Sequence, residues 1–254
     1  MSLKTKWIVL SCFSLMHFNL AAQAKVDSTQ AQSIPFIRFQ YSFLAPSGDF
    51  EDRFGDSHEV GGAFGFKTKS NWQFEVEAGY HFGKQVKVQG LLDDVINKVG
   101  DATDSDGELV KIIYEMRGLS FFGSIGKVIP LGKNQKNSGL IVQAGAGYFQ
   151  HKIKVDWRDG DVFQLSDERL KGYDRLHTGF ALKQFIGYQY FGHKNLVNFY
   201  AGLEFKQAFT QNRRKYNYDT QSYDTKEKFD FLYGIRIGWM IPFKSRASEE
   251  FYYY

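Results

Sequence analysis

A chain of 254 residues with 25 Phe, 15 Tyr, 4 Trp and 25 Gly carries enough apolar surface to fold, which excludes global disorder and collagen-like or low-complexity architectures. A mean hydropathy of -0.39 with 24% charged residues excludes a bundle of spanning helices, each of which needs about 20 mostly apolar residues. The formal charge of +4 is too slight a bias to point to nucleic acid.

Lys4 and Lys6 precede an apolar stretch from Trp7 to Leu20, followed by Ala22-Gln23-Ala24 with small residues at the two positions a signal peptidase reads. Residues 1–24 are therefore expected to be a cleaved signal peptide, and losing Lys4 and Lys6 lowers the charge from +4 to +2. The single cysteine, Cys12, falls in this segment, so the exported chain is expected to lack disulfides, thiolate metal sites and thiol nucleophiles. Residues 25–33 read as a periplasmic N-terminal segment.

From there the chain reads as strands. A first strand near Pro35 to Phe43 turns Ile37, Phe39, Tyr41 and Phe43 outward, and a second near His58 to Phe66 turns Val60, Gly62, Phe64 and Phe66 outward. The third, Trp72 to Phe82, is the clearest: Trp72, Phe74, Val76, Ala78, Tyr80 and Phe82 alternate with Gln73, Glu75, Glu77, Gly79 and His81. A helix would scatter these residues around its circumference, whereas a strand separates them onto two faces. A fourth near Tyr114 to Val128 is expected to face Leu119, Phe121 and Ile125 outward. The fifth offers Leu140, Val142, Ala144, Ala146 and Tyr148, and the sixth Phe180, Leu182, Ile186 and Tyr188, interrupted by Gln184. In the seventh, Val197, Phe199, Ala201, Leu203 and Phe205 alternate with Asn198, Tyr200, Gly202, Glu204 and Lys206. The last turns Phe229 through Phe243 outward at every second position, against Asp230, Leu232, Gly234, Arg236, Gly238 and Met240.

The connections alternate too. Short turns are expected at Lys69-Ser70-Asn71, Gly132 to Ser138 and Gly192-His193-Lys194-Asn195, and long loops at Ala45 to Ser57, Lys84 to Lys111, Asp156 to Asp174 and Thr210 to Lys228. Long loops on one side, short turns and both termini on the other, and aromatic residues at both ends of an apolar band describe a membrane barrel with an even strand number. The expected fold is all-β, a closed antiparallel up-and-down transmembrane β-barrel over residues 34–243, of eight strands, or of ten if the second or third long loop hides a hairpin. Eight strands leave an interior that side chains fill, which argues against an open pore. Arg38, Glu75, Glu77, Lys183, Glu204 and Arg236 are the expected lumen network, three positive against three negative, with glycines making room.

The alternation, the loop asymmetry and the closing GIRIGWMIPF strand resemble the small eight-stranded outer-membrane barrels of the OmpX, OmpA-domain and OmpW kind. The resemblance implies outer-membrane location with periplasmic termini and contact with outer-membrane lipids. It also implies insertion by the barrel-assembly machinery, which would read Ile237, Trp239, Ile241 and Phe243. The chain departs from that pattern in continuing as a periplasmic tail, residues 244–254, ending in Phe251, Tyr252, Tyr253 and Tyr254. These four aromatics suggest a docking peptide, against the alternatives of a disordered end or an interfacial anchor.

Between strands, Leu91, Leu92, Val95, Ile96 and Val99 fit one face of a short amphipathic helix. The DATDSDGE run fails the spacing of a calcium loop and reads as a solvated acidic loop. Asp159-Gly160 suggests a hairpin turn extending the fifth and sixth strands. Arg213, Arg214, Lys215, Tyr216 and Tyr218 are candidate surface contacts, since arginine and tyrosine anchor recognition surfaces. Nothing identifies a nucleophile with its base, a metal cluster or a cofactor motif. The expected function is non-enzymatic: a structural and interaction role, as an accessory subunit of an envelope secretion or barrel-assembly complex. The alternatives are a free-standing barrel for membrane integrity or surface adhesion and, further off, a lipid A-modifying enzyme.

Overall fold

The computed structural model describes residues 30–132, 135–158, 160, 162–192, 197–214 and 216–243. The expected signal segment, the third short turn from His193 to Asn195, Asp159, Lys215, and the tail with Phe251, Tyr252, Tyr253 and Tyr254 lie outside the described residues. Within them the strands are β1 (Ile34–Gly48), β2 (Ser57–Lys67), β3 (Trp72–Gly83), β4 (Asp101–Thr103), β5 (Leu109–Pro130), β6 (Gly139–Trp157), β7 (His177–Phe191), β8 (Asn198–Asn212) and β9 (Glu227–Pro242). A 3-10 turn at Phe163–Leu165 and a one-turn helix, α1 (Asp167–Leu170), lie between β6 and β7.

Every long strand pairs antiparallel with its neighbours, β1 meets β9 and β3 meets β5, so eight strands close on themselves. Closure leaves no unpaired edge, which is what lets a sheet cross a membrane. The outer face is apolar: Phe39, Phe64, Val76, Phe121, Phe180, Ile235 and Ile237 are all more than half exposed or close to it. A water-soluble barrel would not leave so continuous an apolar band uncovered. The chain is therefore a closed, eight-stranded antiparallel transmembrane β-barrel, with the architecture of the small outer-membrane barrels.

The alternation holds at every strand, including the fourth of the wall, where Leu119, Phe121 and Ile125 face outward. The four prolines lie at strand ends, as a residue without an N–H requires: Pro35 and Pro46 in β1, Pro130 closing β5 and Pro242 closing β9. The short turn after β2 is closed by Asn71 N–H donating to Thr68 O at 3.0 Å, with Asn71 at φ 63°.

Three expectations about the loops are corrected. Leu91 to Val99 forms turns rather than a helix: Leu91 and Leu92 are buried against the barrel mouth while Val99 is exposed, so contact with the mouth, not helical period, decides its shape. The extension beyond the wall belongs to β5 and β6, paired as far as Ile112 opposite Trp157, whereas β6 and β7 part after His151 opposite His177. From Val162 the chain enters the 3-10 turn and α1 before β7 begins. The ten-strand alternative fails because the only extra strand among the described residues, β4, pairs with the extension of β5 at Asp101–Thr103 and does not enter the wall, which closes with eight strands.

The acidic run is the β4–β5 turn. Asp104 Oδ1 accepts from Asp106 N–H at 3.0 Å and Glu108 N–H at 2.8 Å, and Gly107 takes φ +85°, so the Asp104 carboxylate serves the turn.

Candidate functional site

Inside the wall the side chains form three layers. At the short-turn end Ile34, Phe36, Val128, Ile141, Phe191 and Met240 form an apolar plug, with Phe185 stacked on Tyr200 at 4.1 Å. Strand alternation places the charged layer next, because the inward positions of β1, β2, β3, β7, β8 and β9 at mid-height carry its ionisable groups.

Arg38 donates from Nη1 to Glu75 Oε1 at 2.7 Å, from Nη2 to Glu77 Oε2 at 3.1 Å and from Nε to Gln40 Oε1 at 3.0 Å, its guanidinium 4.2 Å over the Tyr200 ring. Arg236 is the hub. It donates to Glu77 Oε2 at 3.0 Å, Glu59 Oε1 at 3.2 Å, Glu204 Oε2 at 3.1 Å and Ser42 Oγ at 3.1 Å. Lys183 Nζ lies 2.6 Å from Glu77 Oε2, and Lys206 pairs with Glu59 and lies 3.6 Å from Glu204. Gln73 donates to Glu75 at 2.5 Å and accepts from Gln189 at 2.9 Å. All six residues expected in the lumen meet in this one network. Sequence reasoning omitted Glu59 and Lys206 from it, although the inward phase of the second and seventh strands already carried both. With them the layer balances Arg38, Arg236, Lys183 and Lys206 against Glu59, Glu75, Glu77 and Glu204. Such balance is needed because an unpaired charge at this depth costs far more than a paired one.

Glycine makes the space. A Cβ added at Gly79 would stand 2.4 Å from Glu59 Oε1 and 2.8 Å from Ser120 Oγ. Gly79→Val is expected to destabilise the barrel by about 1–3 kcal/mol, the usual range for overpacking. Urea titration followed by the unheated gel band measures this, and an unchanged midpoint would show that the network yields freely.

Above the charged layer the loop end is closed. The loop after β1 folds inward, burying Phe50 and Phe54, and its Arg53 forms an ion pair with Asp230 of β9. Asp230 also accepts from His151 Nε2 at 2.8 Å and Thr210 Oγ1 at 2.6 Å. His151 stacks on His177 with centroids 5.3 Å apart and stands edge-on to Phe50 and Phe54. His81 lies 3.0 Å from Ser120 Oγ and meets Phe149 edge-on. No sequence spacing could have found this cluster, since its members come from different strands and from a loop.

The outer loops are braced to one another. Tyr173 OH donates to Asp94 Oδ2 at 2.6 Å; burial first, then this bond, raises its pKa above the ordinary phenol. Arg214 donates to both Asp174 oxygens, at 2.7 and 2.5 Å, which raises its pKa further. Arg213 donates to Thr178 Oγ1 at 2.5 Å, and Arg175 pairs with Asp219. Arg214 is thus occupied within the loop cap, while Arg213, bonded through Nε alone, stays exposed. Tyr216 and Tyr218 lie in an aromatic group with Tyr173 and Tyr223, of which Tyr218 and Tyr223 are exposed. Phe163, Val99 and Leu109 are exposed on the same end, at 82%, 84% and 65%. Among the described residues no three His, Cys, Asp or Glu side chains are grouped to hold a metal ion.

Ile237, Trp239 and Ile241 lie in β9, the first two exposed on the outer face, and Phe243 follows with its N–H donating to Pro35 O at 2.8 Å. This bond ties the last described residue to the first strand.

No family model matches the chain, and no curated protein matches it. The fold is similar to solved structures at low identity. Neisserial surface protein A (NspA) aligns with a TM-score of 0.43 and 11% identity over 82% of this chain and 96% of its own. The N-terminal β-barrel domain of Pseudomonas aeruginosa OprF gives 0.36 and 11% over 83% and 100%. The Pseudomonas aeruginosa outer-membrane protein OprG gives 0.36 and 14% over 85% and 99%.

Proposed function

We propose that this protein is a non-enzymatic integral outer-membrane barrel with a structural and interaction role: a sealed, rigid mount whose long-loop end contacts another envelope component. The observation that carries this reading is the exposure of Val99, Leu109, Phe163, Tyr218 and Tyr223 together at the end of a barrel whose loops are cross-braced. Apolar side chains held out from a braced surface in water are what a partner covers. The partner is an envelope protein, with the barrel as an accessory subunit of a secretion or barrel-assembly complex, and the long loops face the cell exterior.

Detergent extraction of the native membrane tests this. A protein that co-purifies stoichiometrically with the wild type and is lost from Phe163→Ser/Tyr223→Ser supports the reading. A lone heat-modifiable barrel band from both would overturn it in favour of a free-standing barrel. The sealed lumen makes a separate prediction: reconstituted into a planar bilayer, the protein is expected to give no steady channel. A stable ohmic conductance in the wild type would show that the layers part and that transport belongs in its function.

A further inference from the structure

Between its aromatic ends the described wall turns outward side chains that are apolar, or glycine, with two exceptions. Gln184 lies midway between Phe180 and Tyr188 on β7, and Gln207 between Phe205 and Phe209 on β8. Gln184 Nε2 donates to Gln207 Oε1 at 3.3 Å across the β7–β8 seam. That bond uses one of the two donors on Gln184 and one acceptor position on Gln207. The Gln184 carbonyl and the Gln207 amide hydrogens face hydrocarbon, which offers them nothing, and polar groups at that depth are costly unless satisfied.

On the β6 side of the pair the wall is low, whereas on β8 Phe205 stands opposite Gln184 and Phe209 flanks Gln207. Ala144 stands opposite Gln184 in the β6–β7 register and Ala146 opposite Leu182, while Gly123 of β5 stands opposite Ala146. Phe64 and Phe39, on β2 and β1 across the barrel, give the far wall bulk instead.

We propose that the face made by Gly123, Ala144, Ala146, Gln184 and Gln207 packs against the same face of a second copy of this chain, about a two-fold axis along the membrane normal. The face is self-complementary. Each copy brings both an unused amide carbonyl and unused amide hydrogens, so a two-fold contact matches donors to acceptors across the axis. The small residues allow the two walls to approach closely enough for those bonds. Copies inserted by one route share an orientation, as an axis along the normal requires. A lipid chain fills the hollow but has no group for the amides at mid-depth.

The test is disulfide trapping in membranes of expressing cells, in a Cys12→Ser background so that the introduced thiol is the only one. With Ala144→Cys, mild oxidation is expected to convert the folded barrel to a species of doubled mass, and a co-expressed tagged copy is expected to be captured in it. Ala146→Cys repeats the measurement should the first variant fold poorly. Adding Gln184→Leu and Gln207→Leu is expected to cut the linked fraction about tenfold, while Phe64→Cys on the opposite wall stays monomeric. Linking at Phe64 as strong as at Ala144, linking insensitive to the two leucines, or a linked product of another mass, as from a different protein, would each overturn the proposal. Loss of partner co-purification through Phe163 and Tyr223 leaves this result untouched, so the two readings fail separately.

Discussion

Replacing Arg236 by methionine is expected to lower the stability of the folded barrel by about 3–5 kcal/mol, the range for removing one partner from a buried ionic cluster. Arg236 is fully buried and touches Glu59, Glu77 and Glu204. Without it Glu204 keeps Lys206 at 3.6 Å as its one cation, with a bond from Ser42 Oγ at 3.0 Å, and Glu59 keeps Lys206, Gln40 and a histidine contact. The cost therefore comes from the carboxylates left behind more than from the bonds lost. This gives the prediction an internal control: Arg236→Met/Glu204→Met removes one charge of each sign and is expected to recover part of the loss, because neighbours in one network are coupled. Arg236→Lys is expected to lie between, since an ammonium cannot reproduce a planar donor fork among three carboxylates. Arg117→Ala, whose side chain is partly exposed beside Glu115, is expected to change stability by less than about 1 kcal/mol. Urea midpoints of the heat-modifiable band rank the four variants. Equal midpoints for Arg236→Met and Arg117→Ala would mean that the lumen is wet enough to screen its charges.

The same network shows what a sequence can and cannot disclose. The wall was legible because lipid on one face and a crowded lumen on the other force a period of two, and Trp72 to Phe82 records that period without a break. Inward charges were legible for the same reason, as positions. Their pairing was not: Arg236 on β9 reaches Glu77 on β3 and Glu59 on β2, and only barrel closure makes β9 a neighbour of β1 and brings those groups together. The loops escaped because no period governs them. Leu91 and Leu92 follow the barrel mouth, Phe50 and Phe54 turn inward onto His151, and Arg214 is held by Asp174 from another loop. A basic, tyrosine-rich stretch that reads as free surface is in part internal bracing, through Arg214, while its Tyr218 stays exposed and is joined by Tyr223 and Phe163.

The second large effect is expected from Val76→Arg, which separates a lipid-facing wall from a water-facing one. Val76 is 69% exposed, stands at mid-strand in β3 opposite Phe64 and Gly123, and makes no contact with the lumen network. On a protein surface in water such a change alters stability by about 0.5 kcal/mol or less. At the midplane of a bilayer an outward arginine costs about 2–4 kcal/mol, falling towards zero near the interfaces. The barrel refolded in lipid vesicles is therefore expected to lose about 2–4 kcal/mol on Val76→Arg, and Leu109→Arg, beyond the wall on the extension of β5, close to nothing. The contrast matters more than either number, because both residues are apolar, exposed and on strands. A composition rich in Phe and Tyr and yet hydrophilic on average fits this geometry: many wall rings face out, others fill the plug and the loop end, and the charges at mid-height are paired inside. Equal small effects at both positions would remove the lipid from that explanation, and with it the membrane-spanning reading of the wall.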